Sequence, residues 1–317
     1  MKKVFTGAML FIVAVLIADR LLFFAIDILY KRTYIGQEGG DINKYLKDPI
    51  TPELVIMGSS TAKFQVNPDS FPVKAANLAH SMTTDCYQAG LLSLMVKHKK
   101  APRNILLSVW PRNYQLTGID RQSEDILFLK YYYDQSDFIR TQINNISRFE
   151  RCKYVFASYK FNGMLTNVLK YYYRGRKINT DKYFFQYQES SVNDSLNTIA
   201  AVAARNKVRA KNPAPLSRLQ MGYLVGFIDS CKKNNINLMC YYMPQLQEDT
   251  ILVKNASIFL DSIFAVKQIP YLKFNEVNLS QVFNNPAFWS DGEHVNYKGG
   301  SIQSKMLSNF VTPLLRR

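Results

Sequence analysis

The sequence predicts an α/β protein in which a parallel sheet carries helices on both faces and follows a single apolar N-terminal helix. Short apolar runs bounded by polar or turn-forming residues alternate with longer stretches whose apolar residues recur at helical spacing. That alternation is the signature of strands joined by crossover helices. An apolar run at the start is long enough for a membrane span, and roughly 280 residues remain after it, ample for one domain with a sizeable core.

Met1-Lys2-Lys3 precedes an almost unbroken apolar run from Val4 to Ala18. Asp19-Arg20 interrupts it, and apolar character resumes from Leu21 to Tyr30 before Lys31-Arg32. A span needs about 20 residues, so residues 1–32 read as an anchor. Asp19 and Arg20 fall near the far end, where they pair and snorkel, with Phe23, Phe24 and Tyr30 at the interface. The competing reading, a cleaved signal peptide, lacks a small-x-small cleavage site, because Leu16-Ile17-Ala18 begins with a large residue. The amino terminus adds a positive charge to Lys2 and Lys3, whereas Glu38 and Asp41 dilute Lys31 and Arg32, so positive-inside counting favours a domain outside the cytoplasm. In a bacterium this is a single-pass inner (cytoplasmic) membrane protein facing the periplasm or exterior. Residues 33–50 read as a linker.

The domain proper is expected over residues 51–317. Strands are read at Leu54–Met57, Val73–Asn77, Ile105–Trp110, Ile236–Met243 and Ile269–Phe274, each short, apolar and bounded by breakers. Helices are read over Thr84–Lys97, Leu216–Asn234, Thr250–Val266 and Tyr297–Leu315. From about 115 to 215 the alternation breaks. This stretch, rich in Tyr, Phe, Lys, Arg and Asn, reads as a mostly helical insertion on the rim above the site. Its Tyr131-Tyr132-Tyr133 and Tyr171-Tyr172-Tyr173 form either an aromatic core with a solvated basic face or a platform for sugar rings and anionic groups. Residues 205–213 read as an exposed basic loop.

A net charge of +16 calls for an anionic partner. With an anchor and no recognisable nucleic-acid module, lipid headgroups or an anionic surface polymer fit better than nucleic acid. Cys86, Cys152, Cys231 and Cys240 are too scattered for a metal knuckle or a disulfide framework, so neither metal nor cofactor is expected. Cys231 and Cys240 read as ordinary buried residues.

Phe288-Trp289-Ser290-Asp291-Gly292-Glu293-His294 places an aspartate three residues before one of the chain's three histidines. At this spacing, about one helical turn, the carboxylate can hold the imidazole Nδ1 proton and leave Nε2 free as a base toward a hydroxyl. The hydroxyl comes from Leu54-Val55-Ile56-Met57-Gly58-Ser59-Ser60, a strand ending in a glycine and two serines. A serine just past the carboxyl edge of a parallel strand sits where open α/β sheets place their sites, which makes Ser60 the candidate nucleophile. His98, in Lys97-His98-Lys99-Lys100, reads as a helix end interacting with the dipole.

Taken together, these segments resemble the SGNH hydrolase family, also called GDSL esterases, in its membrane-tethered branch. The resemblance implies a three-layer, flavodoxin-like sheet. Gly58-Ser59-Ser60 stands in the place of the family's Gly-Asp-Ser, with Ser59 replacing the aspartate. Asp291-Gly292-Glu293-His294 fits its closing Asp-x-x-His. Asn77-Leu78-Ala79-His80-Ser81-Met82 aligns with the second motif, where Met82 replaces a glycine whose N–H faces the oxyanion. Pro111-Arg112-Asn113 stands near the third motif without its Gly and Asp.

The resemblance implies Ser60, His294 and Asp291 as catalytic residues and backbone N–H groups of Ser60 and Met82, with the Asn113 side chain, as the oxyanion hole. Ser59 and His80 are the candidate substrate contacts, with a satisfied structural histidine as the competing reading of His80. It implies an esterase or O-acyltransferase working on acyl, acetyl-type esters of a cell-surface polysaccharide through an acyl-serine, resolved by water or by a sugar hydroxyl. Relatives in alginate acetylation and wall-polymer D-alanylation work beside membrane-bound acyltransferases, a possible partner here. The departures at Ser59, Met82 and the third motif leave open a catalytically silent tether, a scaffold or glycan-binding protein of an exopolysaccharide assembly.

Overall fold

The computed structural model describes residues 1–115, 123–177, 183, 185–187, 215–246, 250–274 and 285–316. The described helices run in chain order as α1 (Lys2–Lys31), α2 (Gly40–Lys47), α3 (Ser60–Lys63), α4 (Asp85–Lys97), α5 (Asp137–Ile146), α6 (Glu150–Lys153), α7 (Leu165–Gly175), α8 (Arg218–Lys233), α9 (Thr250–Lys267) and α10 (Tyr297–Val311). The strands are β1 (Leu54–Met57), β2 (Ala75–Asn77), β3 (Asn104–Ser108), β4 (Asn237–Tyr242) and β5 (Tyr271–Lys273). The chain divides into two compact units, Met1–Asp48 with Ile126–Phe184, and Pro49–Asp125 with Phe185–Arg317.

The second unit is the α/β body. Its five strands are all parallel, in the order β2-β1-β3-β4-β5, the flavodoxin-like arrangement. β1 is buried throughout, as a central parallel strand should be, which is why it reads as a continuous apolar run. Leu54 and Ile56 share one core with Leu106, Met239 and Tyr241 and with Val295, Leu307 and Val311 near and on α10. The alternate residues Val55, Ile105, Leu107 and Cys240 are equally buried and point to the other face. There α4 packs on α8, and α8 on β4. The chain order reverses at β1, whose neighbours β2 and β3 leave it on opposite sides. That switch point lies immediately before Ser60.

The first unit has an aromatic core. Tyr30 near the end of α1 packs 4.0 Å from Tyr131 and 5.6 Å from Phe161, ring centre to ring centre. Tyr131 Oη donates to Asp27 (2.6 Å), Tyr132 Oη to Asn43 (3.1 Å), and Asn43 to the Tyr30 carbonyl (2.7 Å). Tyr131, Tyr132 and Tyr133 are all buried, so these rings build the core and offer no face to a sugar. Where the sequence suggested a linker at 33–50, the chain forms α2, most of it buried, because Tyr45 and Ile42 carry apolar surface that a linker would expose. All four cysteines are free thiols, only Cys152 exposed.

α1 is long and apolar enough to cross a membrane, and its first half is exposed. Asp19 and Arg20 pair as expected (3.0 Å), but Asp19 does not snorkel. Its carboxylate is enclosed, accepting N–H bonds from Ala157 (2.7 Å) and Ser158 (3.1 Å).

Candidate active site

β1 ends at Met57 and the chain turns sharply at Gly58, where φ is +139°. A Cβ there would stand 2.6 Å from Ser108 Cβ and 3.1 Å from Ala62 Cβ, so the turn needs glycine for both its backbone angle and its space. Ser59 is the extended residue before α3, and Ser60 is the first helical one, half-buried. Asn77, at the end of β2, holds this segment from below. Its Nδ2 donates to the carbonyls of Ala62 and Val66, both at 2.8 Å, and its Oδ1 accepts the Ala79 N–H.

Asp291 and His294 arrive on a tight loop before α10. An antiparallel bridge between Trp289 and Val295 closes it, with the Ser290 N–H donating to the His294 carbonyl (2.9 Å) and the Leu246 N–H to the Gly292 carbonyl (3.1 Å). Asp291 Oδ1 accepts the N–H groups of Glu293 and His294, each at 2.7 Å. The two residues thus meet through an aspartate-capped turn rather than a turn of helix. Asn296 then starts α10, its side chain accepting the N–H groups of Lys298 and Gly299.

The three side chains converge. His294 Nδ1 donates to Asp291 Oδ2 at 2.9 Å, and Ser60 Oγ donates to His294 Nε2 at 2.8 Å. A carboxylate on Nδ1 fixes the tautomer whose Nε2 is an acceptor, the form a general base requires. Burial pushes the Asp291 carboxyl upward, but the His294 bond and charge and the two backbone N–H bonds outweigh it and hold it below the usual carboxylate range. It is therefore ionised at neutral pH, facing the ring. The Phe64 ring stands edge-on to the imidazole, centres 6.4 Å apart.

The turn after β2 runs beside the same strand end. His80 N–H donates to the Gly58 carbonyl (3.1 Å), and Met82 adopts φ +61°, the left-handed conformation a glycine would take most easily. Met82 is 84% exposed. Of the two readings of His80, the structure favours the structural one over the substrate contact. It is 2% exposed, its Nδ1 donates to the Ser81 carbonyl (2.7 Å), and its ring lies 5.2 Å from Tyr87, so it lies within the fold rather than at a surface substrate could touch. Burial, with Lys63 nearby, pulls its pKa down to about 4 against the Ser81 bond, leaving it neutral.

Ser59 Oγ lies 3.5 Å from Thr61 Oγ1, which lies 3.3 Å from Ser108 Oγ. Asn113 is partly exposed in the 3-10 turn Pro111–Tyr114 beyond β3, its backbone N–H donating to the Trp110 carbonyl (2.9 Å). Sequence reasoning missed Gln88 and Thr83. Gln88 Nε2 donates to the Gly58 carbonyl (3.0 Å) and to Thr83 Oγ1 (3.1 Å), and Thr83 Oγ1 donates to the His80 carbonyl (2.6 Å). Neither sits in a motif, and only the fold reveals their common target.

No family model matches the chain, and no curated protein matches it. Among solved structures, a candidate acylhydrolase from Bacteroides fragilis aligns with 12% identity and a TM-score of 0.40, over 86% of this chain and 94% of its own. A candidate lipolytic protein of the G-D-S-L family from Desulfitobacterium hafniense aligns with 10% identity and a TM-score of 0.39, over 83% of this chain and 98% of its own. Likenesses this remote assign no chemistry, and the reading of the site rests on its geometry.

Proposed function

We propose that the chain is a membrane-anchored serine esterase or O-acyltransferase of the SGNH type. The observation that carries this reading is the unbroken line from Ser60 Oγ through the His294 ring to the Asp291 carboxylate, at 2.8 and 2.9 Å. In the proposed step, His294 Nε2 takes the Ser60 proton as Oγ attacks an ester carbonyl, and Asp291 stabilises the imidazolium that forms. The oxyanion is met by the N–H groups of Ser60 and Met82, with the Asn113 amide as a third donor. The imidazolium gives its proton to the departing alcohol, leaving an acyl-Ser60. Water or a sugar hydroxyl, deprotonated in turn by His294, then takes the acyl group and restores the serine.

α1 is proposed as the anchor, with the α/β body on the periplasmic or outer side of a bacterial inner membrane. Net charge favours an anionic surface, and the sequence resemblance favours a cell-surface polysaccharide carrying acetyl-type esters, alongside a membrane-bound acyltransferase.

The test is labelling of the detergent-solubilised full chain with a fluorophosphonate, together with p-nitrophenyl acetate hydrolysis. Parent protein is expected to label and turn over, and Ser60→Ala and His294→Ala to do neither. Labelling of the parent no stronger than of Ser60→Ala would leave the silent scaffold as the reading.

A further inference from the structure

The apolar stretch of α1 before Asp19 does not reach across a bilayer. Val4 to Ala18 is fifteen residues, and at ~1.5 Å per residue it covers about 22 Å of a hydrocarbon core about 30 Å thick. Exposed apolar side chains continue beyond the interruption, since Leu21, Leu22, Phe24 and Ile28 all face outward. A full span from Val4 ends near Phe24, which leaves Asp19 about 7 Å beneath the hydrocarbon edge.

A carboxylate at that depth must be satisfied by protein. Asp19 is, by the N–H groups of Ala157 and Ser158, the Ser158 hydroxyl (2.5 Å) and Arg20 Nη1, while Arg20 Nη2 donates to the Val155 carbonyl (3.1 Å). These bonds also fix residues 155–158 at the level of Asp19, below the same edge. Open apolar side chains stand around them, interspersed with exposed Arg151 and Lys153: Phe149 is 61% exposed, Val155 55%, Phe156 44% and Leu165 41%. Beside them a groove of about 520 Å³ runs between Leu22 and Ile26 of α1 and Phe156, Phe161 and Leu165. Arg148 and Arg151 lie exposed on the same segment as Phe149.

We infer that α1 does not cross the membrane alone: the face formed by Phe149, Val155, Phe156 and Leu165 enters the leaflet from which α1 emerges, and its groove takes an acyl chain of a bilayer phospholipid. The inference rests on α1 being the span. The embedded face makes up the length that α1 lacks. An insertion of about 5–10 Å is the ordinary depth for an apolar face at the headgroup boundary, and the exposed Arg148 and Arg151 carry positive charge that anionic headgroups attract.

The test places tryptophan at Val155, at Phe156 and, as a control on the span, at Leu10, in three variants of the full chain. Each is reconstituted into nanodiscs of phosphatidylglycerol and phosphatidylethanolamine with or without bromine on the acyl chains. All three positions are exposed, so the substitutions fill no core. Trp110 and Trp289 set the background measured in the parent. Expected is bromine-dependent loss of emission in Val155→Trp and Phe156→Trp as well as in Leu10→Trp. Quenching at Leu10→Trp alone, with the other two at parent level, overturns the embedded face and leaves it to a protein partner. Absence of quenching at Leu10→Trp overturns the span and this inference with it, while fluorophosphonate labelling of the same discs reports separately on the serine chemistry.

Discussion

Replacing Asp291 by asparagine separates the fold of its turn from the proton chemistry proposed for it. The asparagine oxygen still accepts the N–H groups of Glu293 and His294, now as a neutral acceptor at the same 2.7 Å sites. Hydrogen bonds to ionised groups contribute about 1.5–3 kcal/mol and neutral ones about 0.5–1.5. Two weakened bonds therefore cost about 2 kcal/mol, and less in practice because the Asp291 side chain is 30% exposed to screening solvent. The effect on His294 is larger. An amide N–H where Oδ2 now accepts the Nδ1 proton drives that proton to Nε2, which then meets Ser60 Oγ as a donor. In Ser-His-Asp sites the wrong tautomer costs about ten-thousand-fold in rate, or roughly 5.5 kcal/mol in the barrier. The assay pairs urea unfolding with fluorophosphonate labelling rates for parent, Asp291→Asn and His294→Ala. Expected is a small shift in the midpoint beside a labelling rate close to that of His294→Ala. Should Asp291→Asn label within about tenfold of the parent while His294→Ala is dead, the claim that Asp291 sets the tautomer fails.

Gly58→Ala places a Cβ 2.6 Å from Ser108 at φ +139°, so backbone strain and overpacking of about 1–3 kcal/mol each are expected to lower the urea midpoint and abolish labelling together. Met82→Gly relieves left-handed strain while loosening the unfolded chain, two terms of about 1 kcal/mol that nearly cancel, so stability and labelling should match the parent; Met82→Val, β-branched at φ +61°, should lose both. Asp85, buried against Tyr114 Oη (2.5 Å), has its pKa raised to about 7, by burial first and by the Asp125 charge. The folded chain then keeps a proton that the unfolded chain releases near pH ~3.9, so this contribution is full below about pH 4, is lost as pH rises through about 7 and levels beyond it. Urea midpoints of the parent should fall between about pH 4 and pH 7, and Asp85→Asn should flatten that slope; an unchanged slope would mean that Asp85 is ionised in the fold.

The strands were legible where burial is two-sided. β1 and β3 read from apolar runs because both faces of a central parallel strand meet helices. The ends of β1 were legible too, those of β3 were not. Val109 and Trp110 continue the apolar run past β3, but Pro111 has no N–H for a ladder and turns the chain. Ser60, Asp291 and His294 were legible because their order and spacing carry chemistry, yet spacing alone did not say that an aspartate-capped turn brings the last two together. The choice between a structural and a substrate-facing His80 stayed open in the sequence because it depends on the Gly58 carbonyl and the Tyr87 ring, which only the fold brings near. Tyr131-Tyr132-Tyr133 has the composition of a binding face and the packing of a core, and the choice between them was made by Tyr30 and Asp27, about a hundred residues away in sequence.

The Gly58 carbonyl explains how the departure at Met82 is borne. It stands at the end of β1, one residue before Ser59, and accepts from the His80 N–H and from Gln88 Nε2. The nucleophile turn and the turn carrying Met82 are thereby tied to one atom, with Gln88 and Thr83 bonded to each other as well. A backbone over-determined in this way can hold a non-glycine residue in the left-handed region at a cost of about 1–3 kcal/mol, where an isolated turn would relax. The same ties hold together the two turns that carry the Ser60 and Met82 N–H groups proposed as oxyanion donors, and such a site requires donors fixed before substrate arrives. The loop bearing Asp291 and His294 is built independently, on the Trp289–Val295 bridge and the Leu246 bond. The reacting groups of these two rigid pieces are joined through the 2.8 Å contact between Ser60 and His294. Damage to either piece should therefore silence the serine, Gly58→Ala through the fold of the nucleophile turn and Asp291→Asn through the proton on the imidazole.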